Sequence, residues 1–215
     1  GQPTILAAAP LNVMIDGLQA DALVILQQEL RDVVLSLMPE RAALNLSLTS
    51  DWLRGTLSMA RDAGPSRLQI EHLDLDRLPD FKLPDAGSES AQDLPVVDVA
   101  LRNLFQTGQR LGELSFVLHG QGGEFTAEKI TGELASLRLP AARPGRLVWH
   151  RGEPGYTELQ ASLDFDDLGQ TLEYFDYQRV VETVGGNLEV QLRWPGAPQD
   201  FSLREAQGAM QVQIG

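Results

Sequence analysis

The feature that most constrains this chain is a period of two. Between Asn187 and Trp194, the apolar Leu188, Val190, Leu192 and Trp194 alternate with Asn187, Glu189, Gln191 and Arg193, which places one dry and one wet face on an extended strand. Pro195-Gly196 then supplies the fixed φ and the positive φ of a type II turn. Beyond it Phe201 and Leu203, then Met210, Val212 and Ile214, alternate again. The pattern recurs along the chain at Leu44/Leu46/Leu48, Leu57/Met59, Leu68/Ile70, Val97/Val99/Leu101, Leu114/Phe116/Leu118, Leu137/Leu139, Leu147/Trp149 and Leu159/Ala161/Leu163/Phe165. Turn signals separate the runs: Ser50-Asp51, Ala63-Gly64-Pro65, Gly120-Gln121-Gly122-Gly123, Pro144-Gly145 and Glu153-Pro154-Gly155. Short runs at regular spacing predict a meander of antiparallel strands sharing one continuous apolar face.

Two regions depart from the simple pattern. Leu23 to Leu26 and Val33 to Leu35 fit strand or helix, and are read as strands because Arg31 to Leu37 ends in alternation. From Asp167 to Val184 the apolar residues Leu168, Leu172, Phe175, Val180 and Val184 recur at helical spacing. Asp166 or Asp167 can cap that segment and Gly185-Gly186 can end it, so a short helix is expected over 167–184. Residues 79–94 combine Pro, Gly, Ser and acidic residues without periodicity, which predicts a long flexible loop inside one β-rich domain spanning 1–215.

Charge and composition narrow the partners. The 215-residue chain carries a formal net charge of -13, which repels nucleic-acid phosphates and anionic surfaces at long range. It has no Cys, hence no disulfide framework, thiol nucleophile or thiolate metal site. No apolar run approaches the roughly 20 residues of a membrane-spanning helix. The Gly start and the strand that runs to Ile214-Gly215 suggest a piece of a longer protein.

Reactive constellations are weak. His72, His119 and His150 lie on different strands outside any metal-binding spacing and read as surface residues. Asp164, Asp166 and Asp167 could hold a cation, but their place at the expected helix start explains them as caps. The glycines of GQGGEF, 120–125, lack the Lys and helix of a phosphate loop and read as a hairpin turn. Asp74 and Asp76 read as a solvated acidic edge, and Trp52, Trp149 and Trp194 as strand-end residues finishing a core or groove. No enzyme, cofactor or metal site is predicted.

Three stretches carry a resemblance: LPVVDVALRNLFQTGQRLGELSFVL (94–118), LVWHRGEPGYTELQASLDFDDLGQTLEYFDY (147–177) and the C-terminal GGNLEVQLRWPGAPQDFSLREAQGAMQVQIG (185–215). They resemble the AsmA-like C-terminal region of the YhdP family, large envelope proteins related to AsmA and TamB. The most specific element is Trp194-Pro195-Gly196-Ala197-Pro198 followed by Phe201, Leu203 and Gly208. LNLSLTSDWLRGTLSMA (44–60) and the following LQIEHLDLDRL extend it upstream to about Leu44. One departure is Asp176 before Tyr177, where the family more often has Gly.

The resemblance implies a mainly β fold: a long twisted antiparallel sheet curled into an open trough, or β-taco. Alternation alone also permits a closed β-sandwich with an ordinary core. The resemblance further implies a periplasmic bridge that carries phospholipid between inner and outer membranes, anchored in the inner membrane by a segment of the parent protein outside this chain. The groove would be lined by Leu44, Leu46, Leu48, Leu57, Met59, Leu68, Ile70, Val97, Val99, Leu114, Phe116, Leu118, Leu137, Leu139, Leu147, Trp149, Leu159, Leu163, Leu188, Val190, Leu192, Phe201, Leu203, Met210, Val212 and Ile214. Expected partners are phospholipid, the rest of the parent protein and envelope proteins. A second reading is a structural module of the cell envelope that pairs with β-rich partners through its sheet edges.

Overall fold

The computed structural model describes residues 14–25, 28–61, 64–77, 94–167, 169, 185–202 and 204–214. These form thirteen strands: β1 Ile15–Ile25, β2 Gln28–Pro39, β3 Ala43–Thr49, β4 Leu53–Ala60, β5 Ser66–Asp74, β6 Leu94–Gln106, β7 Gln109–Gln121, β8 Glu124–Leu134, β9 Leu137–Leu139, β10 Gly145–His150, β11 Tyr156–Phe165, β12 Gly186–Pro195 and β13 Gln207–Ile214. All belong to one sheet, ordered β1-β2-β3-β4-β5-β6-β7-β8-β10-β11-β12-β13. Among the described residues β1 and β13 each pair with a single neighbour, so the described sheet does not close into a barrel. Strands that alternate leave one face to be buried, and here all the described strands share a single sheet.

Local chemistry sets the turns. Gly122 and Gly123, with φ of 59° and 86°, make the tight β7–β8 connection that mirrors the strand twist, as the GQGGEF stretch predicts. At the β3–β4 turn the Ser50 amide bonds the Leu53 carbonyl (2.7 Å), while the Leu53 amide donates to the Ser50 hydroxyl (3.1 Å).

β9 and β10 occupy one lane. β9 pairs with the C-terminal end of β8 and the end of β11, and β10 pairs with the remainder of both. The interruption is Pro140–Pro144, whose prolines offer no amide to a ladder. Arg143 pins this excursion to the outer side of β11 by donating to Ser162 Oγ and, at 2.6 Å, to Asp164 Oδ1.

Several expectations are corrected. The sheet is not antiparallel throughout: β5 and β6 run parallel. A parallel pair needs a long crossover rather than a hairpin, and the chain between Asp74 and Leu94 supplies its length. Leu94 opens β6, opposite Gly120, and so is not part of the loop. Asp74 and Asp76 do not form a sheet edge, since β5 lies between β4 and β6. Asp74 Oδ1 instead accepts the Asp76 amide (3.1 Å), and Asp76 accepts the Thr107 amide, tying the 3-10 turn Leu75–Arg77 to the β6–β7 hairpin. Phe201 is not on a strand. Pro198–Asp200 forms a 3-10 turn, and Phe201 follows it with its ring edge-on to Trp194 (5.0 Å). Leu203 lies outside the described residues, as does the expected helix beyond Gly169. The first-third strands are present as β1 and β2.

Candidate functional site

Residues opposite one another in a ladder share a face, so the register traces the apolar surface directly. One row crosses β2 to β7 as Leu37–Leu46–Leu57–Leu68–Val99–Phe116. A second crosses β2 to β9 as Leu35–Leu48–Gly55–Ile70–Leu101–Leu114–Gly132–Leu139. A third crosses β6 to β13 as Val97–Leu118–Ala127–Leu147–Leu159–Leu192–Gly208. Leu44 faces Met59, Leu137 faces Phe165, Val190 faces Met210, and Leu188 faces both Leu163 and Val212. Trp149 faces Phe125 and Thr157, and Ile214 faces Gly186. The register therefore brings every expected strand residue onto one surface, and the three rows contain no ionisable group.

The surface is incompletely covered. Leu35, Leu37, Leu46, Leu48, Leu57, Leu68, Ile70, Leu101 and Leu114 are all half-buried, although each sits on a strand flanked by two others. Met210, Val212 and Ile214 on β13 remain 45–60 % exposed. Full burial is local. Leu30, Val33 and Trp52 form one cluster, with Leu48, Leu53 and Leu73 against it. Ala127, Ile130 and Leu139 form another, against which Leu114, Phe116, Leu118, Leu147, Ala161 and Leu163 pack. This second cluster runs along one face of the neighbouring strands β7 to β11. Among the described residues no second sheet lies over it.

Bulges keep the face apolar where alternation fails. On β8, Ala127 and Ile130 both face inward. Lys129, at φ 55°, is the extra residue that resets the parity, and the β8 register shifts beside it against both β7 and β10. On β5 the inward residues step from Ile70 to Leu73, and on β6 from Leu101 to Leu104, with both strands in register across the step. Asn103 Nδ2 donates to the Glu71 carbonyl at 2.8 Å at this paired irregularity, and Arg110 Nε bonds Asn103 Oδ1 (3.2 Å). Ile130, Leu73 and Leu104 were not among the expected groove residues. Their signal is a spacing of three between inward apolar residues within a strand.

At the end where β10 stops and β11 starts, Phe125 and Trp149 stack (5.5 Å between centroids, 30°). Trp194, 3 % exposed, donates its indole N–H to the Ala197 carbonyl (3.0 Å). The Gly196 amide bonds the Gly155 carbonyl (3.0 Å), and Thr157, fully buried, donates Oγ1–H to the Gly196 carbonyl (2.9 Å). Gly196 has φ 88°, and a Cβ there would stand 2.5 Å from Asp200 Oδ2, so glycine is required on both grounds. Trp194-Pro195-Gly196 is thus a fixed corner that closes the end of β12.

The outer face is polar. Arg146 pairs with Glu128 (3.6 Å), His150 with Glu124 (3.3 Å) and Arg193 with Glu158 (3.9 Å), contacts of small individual worth at this exposure. The three carboxylates near the end of β11 are separately engaged: Asp164 with Arg143 and Asn187, Asp166 with Arg138 (3.0 Å), and Asp167 with the Gly169 amide (2.8 Å). The Arg143 hydrogen bond, and after it the Asn187 bond, hold the Asp164 carboxyl below its ordinary value. No group of acidic or His side chains able to hold a metal occurs among the described residues.

A family model described as YhdP protein matches residues 5–215. The chain belongs to the YhdP family. That match reaches upstream of Leu44 to cover β1 and β2 as well. No curated protein and no solved structure matches the chain. The most specific part of the family resemblance, Trp194 to Pro198, coincides with the rigid corner at the end of β12. Its downstream Phe201 acts as a ring against Trp194 rather than as a strand residue. Gly208 sits opposite Leu192 with φ 143°, where a side chain would collide with the Gln191 carbonyl, so the family glycine permits close approach of β12 and β13.

Proposed function

We propose that this YhdP-family chain forms part of a periplasmic bridge that carries phospholipid between the inner and outer membranes along its apolar face. The observation that carries this reading is the set of three charge-free apolar rows running from β2 to β13, many of whose leucines stay half-exposed although each lies on a strand flanked by two others. Exposing two acyl chains to water costs about 0.8 kcal/mol per methylene, on the order of 20 kcal/mol per phospholipid. A continuous surface of Leu, Val, Phe and Met offsets most of that cost at every point along it. Transit needs such a surface without deep wells, and no reactive group takes part. Phospholipid, the rest of the parent protein and envelope proteins are the partners, with the anchor in a segment outside this chain.

Native mass spectrometry of the purified chain tests the reading. Copurified phospholipid is expected on the wild type and is expected to be lost from a folded Phe116→Asp chain, since Phe116 is only half-buried, while Ser115→Asp, on the exposed outward face, keeps it. A wild-type chain free of lipid would count against transport. Among the described residues no strand pairs with the outer edge of β13, which is uncharged from Gln207 to Ile214; this favours the second reading of a module that pairs with β-rich envelope partners, and a lipid-free chain that binds such a partner would support it.

A further inference from the structure

The apolar face is buried along one margin and half-exposed along the other. One margin holds the β3–β4, β6–β7 and β8–β9 turns and the end of β11; the opposite margin holds the β2–β3, β4–β5, β7–β8 and β10–β11 turns. Beside the first margin Leu30, Trp52, Leu104 and Phe165 are only 2–8 % exposed, and the half-buried Leu53 and Leu73 pack against the Leu30, Val33 and Trp52 cluster. Beside the second, Leu37, Leu44, Met59, Leu118 and Trp149 are all half-buried, and apolar burial on this face returns at the fixed Trp194 corner. Charge divides in the same sense. Among the described turn residues of the first margin, Asp51, Asp76, Asp166 and Asp167 outweigh a single cation, Arg77. The turns of the second margin mix arginines, such as Arg41 and Arg61, with carboxylates, and the Arg61 amide donates to the Ala42 carbonyl (3.0 Å), which sets those two turns side by side.

We propose that a phospholipid on this face lies along the strands, its acyl chains directed to the buried margin and its phosphate headgroup at the half-exposed margin beside Leu44, Met59, Leu118 and Trp149. The inference rests on the reading of this face as a lipid path and adds an orientation to it. Acyl chains gain most where their cover is deepest, at about 25 cal/mol per Å² of apolar area removed from water. A phosphate must keep its water or find a partner, which the half-exposed margin allows and the buried one does not. The aspartates of the buried margin repel it as well. A lipid held this way can move from strand to strand across the sheet without its headgroup crossing the apolar rows.

The test uses Gln109→Cys and Gln121→Cys, at the first and last residues of β7, in a chain that has no other Cys. Both positions are exposed, and about 40 Å of strand separates them. Each is labelled with a small fluorophore and mixed with dioleoylphosphatidylcholine carrying a nitroxide on its headgroup. Loss of fluorescence is expected at 121, beside the half-exposed margin, and none at 109. A third labelled chain, Leu57→Cys, mixed with the same lipid carrying its nitroxide on the acyl chain, reports occupancy of the path itself. With quenching present at 57, headgroup quenching at 109 alone, at both ends of β7 or at neither would overturn the orientation and leave the path standing. Absence of quenching at 57 would overturn the path and the orientation together.

Discussion

Leu57→Asp separates an open apolar face from a closed core. Leu57 lies mid-sheet between Leu46 and Leu68 and is half-buried. Burying a leucine fully is worth about 1.5–3 kcal/mol, so partial cover places the lost burial near 1–2 kcal/mol, with up to about 1 kcal/mol more for aspartate in a strand. The expected total is about 1–3 kcal/mol, because on an open face the carboxylate reaches water. Under a second layer the same charge would be buried unpaired at a further cost of several kcal/mol, comparable to the 5–15 kcal/mol stability of a whole domain. Urea unfolding followed by tryptophan fluorescence measures the difference, with Trp52 reporting on the nearby β3–β4 turn. Thr56→Asp, on the exposed outward side of the same strand, serves as the control. A folded Leu57→Asp chain with a lowered urea midpoint is the expected result. A chain that is unfolded at neutral pH while Thr56→Asp stays folded would refute the open face.

Two further substitutions test details of the framework. Asn103→Ala removes the donor to the Glu71 carbonyl at the paired β5–β6 irregularity and should cost about 0.5–1.5 kcal/mol by equilibrium unfolding; an unchanged midpoint would show that water satisfies that carbonyl equally well. Asp164 has a depressed carboxyl pKa, so its contribution to stability is present above its unfolded value near 3.8 and is lost as pH falls through the lower folded value. The melting-temperature gap between wild type and Asp164→Asn should therefore be open at pH 6 and shrink steadily below about pH 4; a gap independent of pH would show that the Arg143 bond is not responsible.

Much of the sheet was legible because alternation is a direct consequence of strand geometry. Leu44/Leu46/Leu48 and Leu188/Val190/Leu192 could be placed on one face from spacing alone. The bulges were harder, since a strict period of two has no place for Lys129, and the step from Ala127 to Ile130 reads as a lapse in the pattern. The parallel β5–β6 pair was hidden because parallel and antiparallel strands here have the same composition. Its trace was the length of the non-periodic segment between them, which a hairpin would not need. Phe201-x-Leu203 imitated a strand by sequence, whereas Pro198 and the Asp200 carboxylate, which accepts the Ala197 amide (2.7 Å), turn the chain there. Val148 is 5 % exposed on the outward face, beside Thr126 and Glu158 in the register. Alternation assigns that position to the wet side, and nothing in the spacing marks its burial. Trough and sandwich were indistinguishable by pattern, because the difference lies in whether a second sheet faces the first.

The most direct test of lipid on the inward face uses the absence of Cys from the chain. Single cysteines at positions 56, 57, 58 and 59 of β4, each labelled with a small fluorophore, would be mixed with phospholipid bearing a nitroxide on its acyl chain. Neighbours on a strand point to opposite faces, so quenching is expected at 57 and 59 and not at 56 and 58. Equal quenching at all four positions, or at none, would contradict the account.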